Sequence, residues 1–362
     1  MDTTTHDDDI SVEQVSLEMA SDDTSPWRPG KTVHIDRPGR IRRLSEELEE
    51  EGFTFRGGTP GWRDLLLGEL DYALHPSVHE RRIPSYGAII EPTVDPSLWS
   101  EPTELHFTRR AVKGFPLSDA RRFADGLSSW LLRRTDGTKD SVVFDRAAGS
   151  ERDLVVLAEA LGATLVQRHP SGSVRVVGDF GVLRWDGIGW HHEAPVQAWI
   201  DAFTVCAHHG DREILTMLLE FAVHDLGARG IGALLVYRPN DDVMPNYEIR
   251  LAEPPPLRID RPSDLAPFRH VLAQIDGAAV FDARGTLRQL GVRLVPSLEA
   301  EAEVAGFRGM RHTAGRRYSF DDELATVIVV SEDGPVTVLR NGKILGRSTR
   351  DASDLVNLTP FE

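Results

Sequence analysis

Three short segments of this 362-residue chain carry residue types suited to a phosphorylated ligand: Asp276-Gly277-Ala278, Gly309-Met310-Arg311-His312-Thr313 and Ser331-Glu332-Asp333. Asp276 is a hard carboxylate ahead of the apolar run Ala279-Val280-Phe281, the kind of oxygen donor that Mg2+ or Mn2+ accepts. Gly277 and Ala278 leave room for a ribose or phosphate to approach the backbone. Arg311 offers a planar guanidinium fork to phosphate oxygens, and His312 adds a donor. A helix starting near Thr313 would turn its unpaired N–H groups toward the same anion. Ser331, Glu332 and Asp333 place a hydroxyl and two carboxylates at the end of the apolar strand Thr326–Val330, where ligands of α/β sheets usually sit.

Bringing such distant residues together takes a sheet with helices packed on it. Arg212 to Leu226 reads as a helix with Ile214, Leu215, Leu218, Leu219, Ala222 and Leu226 on one wide face and Gly227 as its stop. Gly232–Tyr237 reads as a buried strand, Asp264–Gln274 as a helix, Ala279–Asp282 and Thr286–Leu294 as strands, and Ser297–Ala305 as a helix. After Thr326–Val330 comes a hairpin, Val336–Arg340 and Lys343–Leu345, turning on Asn341-Gly342. Residues 201–350 therefore read as one domain, a mixed β-sheet flanked by helices on both faces.

Upstream, Arg40–Glu51 and Trp62–Leu74 read as helices, followed by a stretch broken by Pro84, Pro92, Pro96 and Pro102. The spacing of Phe123, Leu127, Trp130 and Leu131 predicts a helix over Ser118–Arg133. Ser141–Phe144 is a short β-rich run. A helix over Ser150–Leu161 is capped by Ser150 and Gly162, and two hairpins come after it, Thr164–Arg168 with Ser173–Val177 and Phe180–Trp185 with Gly189–His192. Residues 31–200 thus form a smaller N-terminal α/β region with a compact module at about 116–200. Residues 1–30, with Asp7-Asp8-Asp9 and Asp22-Asp23 and no Lys or Arg before Arg28, read as a disordered acidic tail, and residues 351–362 as a C-terminal tail. The fold class is α/β (α+β).

Composition narrows the function classes. Lys plus Arg number 41 against 57 Asp plus Glu, a net charge of −16, so the basic footprint of a nucleic-acid binder is missing. A polyanion needs positive groups converging locally. The single cysteine, Cys206, excludes an intrachain disulfide framework and a Cys-rich zinc site; it reads as a small buried residue in a chain suited to the cytoplasm. No apolar run reaches the roughly 18 residues of a membrane span, and Met1 to Thr5 carries no secretory pattern, so no membrane partner is expected. His191-His192 and His208-His209 are adjacent pairs, not i, i+4 pairs on one helical face, and read as surface or packing residues. Trp185, Trp190 and Trp199 read as packing residues of the N-terminal module. Gly227, Gly230 and Gly232 mimic part of a dinucleotide fingerprint, but they follow a helix and enter a strand, the reverse of that motif. No Gly-x-x-x-x-Gly-Lys-Ser/Thr run exists, which excludes a P-loop.

In order and flanks, the three segments resemble the diadenylate cyclase (DAC, DisA-type nucleotide-binding) family, whose motifs read D-G-A and G-T-R-H-R followed by a V-S-E strand end. The likeness runs from Arg212 to Arg347 and includes Gly232-Ala233-Leu234-Leu235-Val236, similar to the family's first core strand and adenine-pocket wall. The resemblance implies a nucleotidyltransferase that condenses two ATP into cyclic di-AMP and two pyrophosphates, with Mg2+ or Mn2+, in a face-to-face homodimer holding one ATP per subunit. It implies Asp276, Arg311 and His312 as catalytic residues. It implies Gly232, Leu234, Gly277, Ala278, Gly309, Arg311, His312, Thr313 and Ser331 around ATP, and Asp276, Glu332 and Asp333 around the metal. It also implies a sensory or regulatory N-terminal region. Three positions depart from the pattern: Thr313 replaces the second arginine of R-H-R, Met310 replaces threonine, and Asp333 stands where glutamate is common. Arg316 and Arg317, one helical turn further on, are candidates to replace the missing guanidinium. Two other readings stay open: a catalytically silent domain that binds ATP or a cyclic dinucleotide and signals by dimerising, and a dimerisation module without nucleotide.

Overall fold

The computed structural model describes residues 37–347 apart from 56–57, 77, 79–82, 204–208, 240–246, 249–250 and 308. Both terminal tails, Cys206 and His208 lie outside the described residues. In chain order the N-terminal module comprises α1 (Arg37–Glu50), α2 (Trp62–Leu74), β1 (Tyr86–Ile90), α3 (Ser100–Thr103), β2 (Phe107–Ala111), α4 (Leu117–Arg121), β3 (Ser129–Arg133), β4 (Lys139–Phe144), α5 (Glu151–Leu161), β5 (Thr164–Arg168), β6 (Val174–Gly178), β7 (Gly181–Trp185) and β8 (Trp190–Glu193). The C-terminal domain comprises α6 (Val196–Phe203), α7 (His209–Glu220), a π turn (Phe221–Leu226), β9 (Ala233–Tyr237), β10 (Tyr247–Glu248), α8 (Pro262–Leu272), β11 (Ala278–Phe281), β12 (Leu287–Leu294), α9 (Leu298–Glu303), α10 (Met310–Asp321), β13 (Thr326–Val330), β14 (Val336–Arg340) and β15 (Lys343–Arg347).

Each half is a mixed sheet between helices. The first sheet runs β2-β4-β3-β1-β5-β6-β7-β8, with β1 and β3 parallel. One face buries Leu44 and Leu48 of α1 and Leu66 and Leu70 of α2 against Ala88, Ile90, Val166 and Val176. The other buries Leu154, Leu157 and Leu161 of α5 against Ile89, Trp130, Leu132 and Val177. The second sheet runs β10-β12-β11-β9-β13-β14-β15, with β9 and β11 parallel. Its strand side chains alternate between two apolar layers as the period of two requires. Leu235, Tyr237, Ala279 and Phe281 meet α7, the π turn and α8, whereas Leu234, Val236, Ala278 and Val280 meet α10. Trp199 of α6 packs in the first of these C-terminal layers, not in the N-terminal module.

The helix expected over Ser118–Arg133 is a short helix, a turn and a central strand. Oδ1 of Asp125 accepts from the N–H groups of Leu127, Ser128 and Ser129 at 2.7–2.8 Å, which stops the helix. Gly126 has φ +70°, and a Cβ there would lie 2.3 Å from the Tyr86 carbonyl oxygen. The run Trp130-Leu131-Leu132 is buried on both faces between β1 and β4, so its apolar spacing carried no helical meaning. The compact module also starts earlier than residue 116, because β1 is central in its sheet and α1 and α2 cover one face. The Asn341-Gly342 hairpin forms as expected, with both residues at positive φ, 49° and 70°.

One carboxylate joins four elements of the N-terminal module. Glu69 of α2 is buried and accepts from Tyr86 Oη (2.6 Å), Arg121 Nε (2.8 Å) and Arg133 Nη1 (2.6 Å). Removing one partner of such a cluster leaves uncompensated buried charge. Glu69→Ala is expected to lower the stability of this module by about 3–5 kcal/mol, measured by urea denaturation of the full chain; a loss near zero would show that the cluster is not a structural centre.

Candidate functional site

The three sequence segments meet at one edge of the second sheet. Asp276 and Gly277 precede β11, Gly232 precedes β9, and Ser331 and Glu332 follow β13. Because β13 runs antiparallel to β9, with Val330 beside Ala233, the site lies at the carboxyl end of β13 but at the amino ends of the parallel pair β9 and β11. The carboxyl-end rule for α/β sheets therefore places only the Ser331–Asp333 segment correctly.

Arg311, the second residue of α10, is the hub. Its Nη1 donates to Glu332 Oε1 at 3.0 Å, and its Nη2 lies 3.6 Å from Asp276 Oδ1. Asp276 is fully exposed, Glu332 is 75% exposed and Arg311 38%. Gly232 makes this grouping possible. A Cβ there would lie 2.3 Å from Arg311 Nη1 and 2.8 Å from Glu332 Cγ. Gly230, which sequence reasoning did not assign to the site, touches the same loop, since a Cβ there would lie 2.9 Å from the Glu332 carbonyl oxygen. The signal for it was the glycine run at 227, 230 and 232.

Gly309 caps α10 with extended backbone and no side-chain cap, and the space beside its Cα is open. The first turn of α10, which carries Arg311, thus starts without a side-chain cap, and uncapped helix starts favour anions. Gly277 has φ +107°, and a Cβ there would lie 2.7 Å from the Gly291 carbonyl carbon, so β12 already requires glycine at this position. The Ser331 N–H donates to Pro335 O and its carbonyl accepts from Gly334 N, closing the turn that displays Glu332 and Asp333.

Other expected site residues face elsewhere. His312 is buried, with Nε2 3.3 Å from Thr337 Oγ1 and its ring edge-on to Phe307, so it braces α10 against β14 instead of standing beside the Arg311 fork. Leu234 and Ala278 lie in the buried layer under α10. Thr313 Oγ1 accepts from Phe307 N and donates to Phe307 O, pinning the loop before α10. Arg316 and Arg317 do not replace the missing guanidinium. Arg316 donates to Gly342 O and Ala305 O, and Arg317 donates to Val304 O, all backbone carbonyls away from Asp276. His191 pairs with Asp186 at 2.8 Å and His192 with Phe180 O at 2.8 Å, both packing roles as expected.

The cluster is an open surface. Two large cavities, about 1040 Å³ between α3, α5, α7 and α8 and about 900 Å³ beside α2, α5 and α6, contain none of Asp276, Arg311 and Glu332. No helix among the described residues is long and apolar enough to cross a membrane. Because the atoms that Gly232→Ala would strike, Arg311 Nη1 and Glu332 Cγ, belong to two flexible side chains and not to backbone, the variant is expected to fold but to displace both. Its ATP affinity is expected to fall at least about tenfold, about 1.4 kcal/mol, by calorimetric titration, with a melting temperature near that of the parent; unchanged affinity would remove Arg311 and Glu332 from the nucleotide.

Comparison with known proteins matches each half of the chain to a family. Residues 42–193 match the family described as "Probable sensor domain DACNK", and residues 220–344 match "DisA bacterial checkpoint controller nucleotide-binding", the DAC family. No curated protein gives a significant match. Two similar solved structures are a hypothetical membrane spanning protein from Bacillus cereus and a double mutant of DacA from Staphylococcus aureus. The first is 18% identical, over 39% of this chain and 72% of that one, with a TM-score of 0.30. The second is 18% identical, over 41% of this chain and 93% of that one, with a TM-score of 0.27. The mixed sheet with its Asp276–Arg311–Glu332 edge is thus a DAC domain of the DisA nucleotide-binding family at residues 220–344, preceded in the same chain by a DACNK sensor domain at 42–193.

Proposed function

We propose that the C-terminal domain is a diadenylate cyclase, joining two ATP into cyclic di-AMP with release of two pyrophosphates. The observation that carries this reading is the meeting of Asp276, Arg311 and Glu332, from three distant segments, at one sheet edge. Phosphoryl transfer needs positioning and charge neutralisation more than covalent chemistry. Arg311 is the cation here, and two carboxylates engage it. A triphosphate arriving at this edge competes for the guanidinium, and the planar fork suits phosphate oxygens. Asp276 and Glu332 are then released as hard oxygen donors.

These donors fit Mg2+ or Mn2+. Among the described residues no group of three or more His, Cys, Asp or Glu is arranged to hold an ion alone. A pair of carboxylates completed by phosphate oxygens and water is the usual Mg2+ arrangement. Asp276 and Glu332, with Asp333 next in the turn, would hold the ion, which when bound would neutralise phosphate charge and polarise the reacting α-phosphate. In this reading Asp276 would also orient the attacking ribose 3′-hydroxyl. The carboxylates also make nucleotide binding dependent on the divalent ion, since without it they repel the phosphates.

Exposure of the site supports a face-to-face homodimer. Asp276 is fully exposed, and the adjoining Met310 is 91% exposed. A second copy facing this edge would exclude water and bring its own ATP, so that each 3′-hydroxyl attacks the other's α-phosphate. The single cysteine and the need for ATP suit a cytoplasmic setting. A second reading, a silent domain that binds nucleotide and signals by dimerising, is favoured by Thr313, which stands at the position of the family's second arginine and hydrogen-bonds the Phe307 backbone.

Incubation of the full chain with ATP and Mn2+ or Mg2+ is expected to yield cyclic di-AMP by mass spectrometry. Asp276→Asn is expected to lower the rate at least about 100-fold while stability changes by no more than about 0.5 kcal/mol, as for exposed positions. Divalent-dependent ATP binding without product would favour the silent reading, and the absence of both would refute the nucleotide site.

A further inference from the structure

The joint between the two halves is built from charge. α5 opens with a capping box in which Ser150 and Asp153 satisfy each other's backbone N–H groups, and its first two residues, Glu151 and Arg152, face the C-terminal domain. Glu151 is fully buried. Arg184 Nε and Nη2 each reach its carboxylate at 2.5 Å, Arg175 Nε lies 3.7 Å away, and His224 Nδ1 lies 2.9 Å from Oε1. Burial alone would raise this carboxyl's pKa, but Arg184 and His224 outweigh it and hold the group well below the usual carboxylate range. Arg152 spans Glu220 (3.1 Å) and Asp225 (3.2 Å), and Asp225 also accepts from Arg269 of α8 at 2.6 Å.

The partner side of this joint is irregular in a specific way. His224 and Asp225 lie in the π turn, all six of whose residues are buried. Glu220 and Asp225 are five residues apart, the i→i+5 spacing of a π turn. On a regular helix they would be about 140° apart around the axis, and one guanidinium could not hold both. π turns inside helices are frequent at functional sites.

The segment leaving the π turn leads directly to the nucleotide edge. A Cβ on Gly227 would lie 2.6 Å from the Gly334 carbonyl oxygen, one on Gly230 2.9 Å from the Glu332 carbonyl oxygen, and one on Gly232 2.3 Å from Arg311 Nη1. This segment therefore lies against the Ser331–Gly334 turn and the Arg311 guanidinium, with no side chain between. Packed segments of this kind shift between discrete arrangements and do not deform continuously.

We propose that Glu151 and Arg152 of the sensor module, clamped on His224 and Asp225 of the π turn, act as positioning residues for Arg311 and Glu332, so that the state of the sensor is read out as the geometry of the nucleotide site. The catalytic part of this proposal rests on the cyclase reading above; the mechanical part does not. His224→Leu removes the hydrogen bond to Glu151, whereas His224→Asn retains a donor near the position of Nδ1. Arg152→Gln, at a half-buried position, tests the same joint with less risk to folding.

Hydrogen–deuterium exchange on the full chain, followed by turnover kinetics, tests the joint. In His224→Leu and Arg152→Gln, exchange of the 331–334 turn is expected to rise at least about tenfold, as local opening there becomes easier, with β14 and β15 protected as in the parent; His224→Asn is expected to restore the parent pattern. In the same two variants, kcat/KM for cyclic di-AMP formation is expected to fall about tenfold or more, with KM for ATP raised because Arg311 and Glu332 are the groups displaced. Parent-like exchange in a folded Arg152→Gln variant would overturn the proposal. So would equal loss of protection throughout the domain, which marks a merely structural role. A parent chain that forms no product, with the two variants still showing the exchange response, would refute the cyclase reading and leave the joint standing.

Discussion

The C-terminal domain is arranged around one cation held between two acids. Arg311 is anchored at the start of α10, while Glu332 and Asp276 come from turns at the ends of two different strands. Nothing in the local sequence of any one segment places these three groups together. The sheet does so by putting the amino ends of β9 and β11 beside the carboxyl end of β13. Gly232 then lets the acid and the guanidinium pass over the backbone where any side chain would intrude. The exposure of the cluster keeps its own ion pairs weak, since exposed pairs contribute at most about 1 kcal/mol. Weak internal pairing is what a binding site needs if phosphates and a divalent ion are to replace it.

Much of this organisation is written in the sequence as local pattern. The α5 capping box and the Asn341-Gly342 hairpin arise from residues whose local chemistry and backbone preferences suffice, so they read correctly without tertiary context. The segment 118–133 does not, because its outcome is decided by the Asp125 turn and by close approach to β1, a contact made only in the fold. The same distinction runs through the site. Asp276, Arg311 and Glu332 were visible as a set of chemistries in a family order. Which neighbour each would face was not. His312 sits one residue from Arg311, yet a helix turns adjacent residues about 100° apart, and it ends in the sheet layer with Phe307 and Thr337.

Residues 227–232 run from the π turn to the Asp276–Arg311–Glu332 edge. Their glycines imitate a dinucleotide fingerprint in spelling but serve a different geometry, allowing close approach of the π-turn exit to the Ser331–Gly334 turn. On the other side of the π turn, Glu151 and Arg152 concentrate the charged contacts of the sensor module on His224 and Asp225. The departures from the family pattern have their own local structure. Thr313 pins the loop before α10, and Arg316 and Arg317 hold backbone carbonyls near α9 and the β14–β15 hairpin. Among the described residues, the Asp276–Glu332 edge therefore presents a single guanidinium, Arg311, and the uncapped start of α10.

A crystal structure of the full chain with a non-hydrolysable ATP analogue and Mn2+ tests the central claim most directly. The account predicts the Arg311 guanidinium in hydrogen-bond contact with phosphate oxygens, and an anomalous Mn2+ peak coordinated by Asp276 or Glu332 on the same nucleotide. An analogue bound in either interdomain cavity, with Arg311 still paired to Glu332 and Asp276, would contradict it.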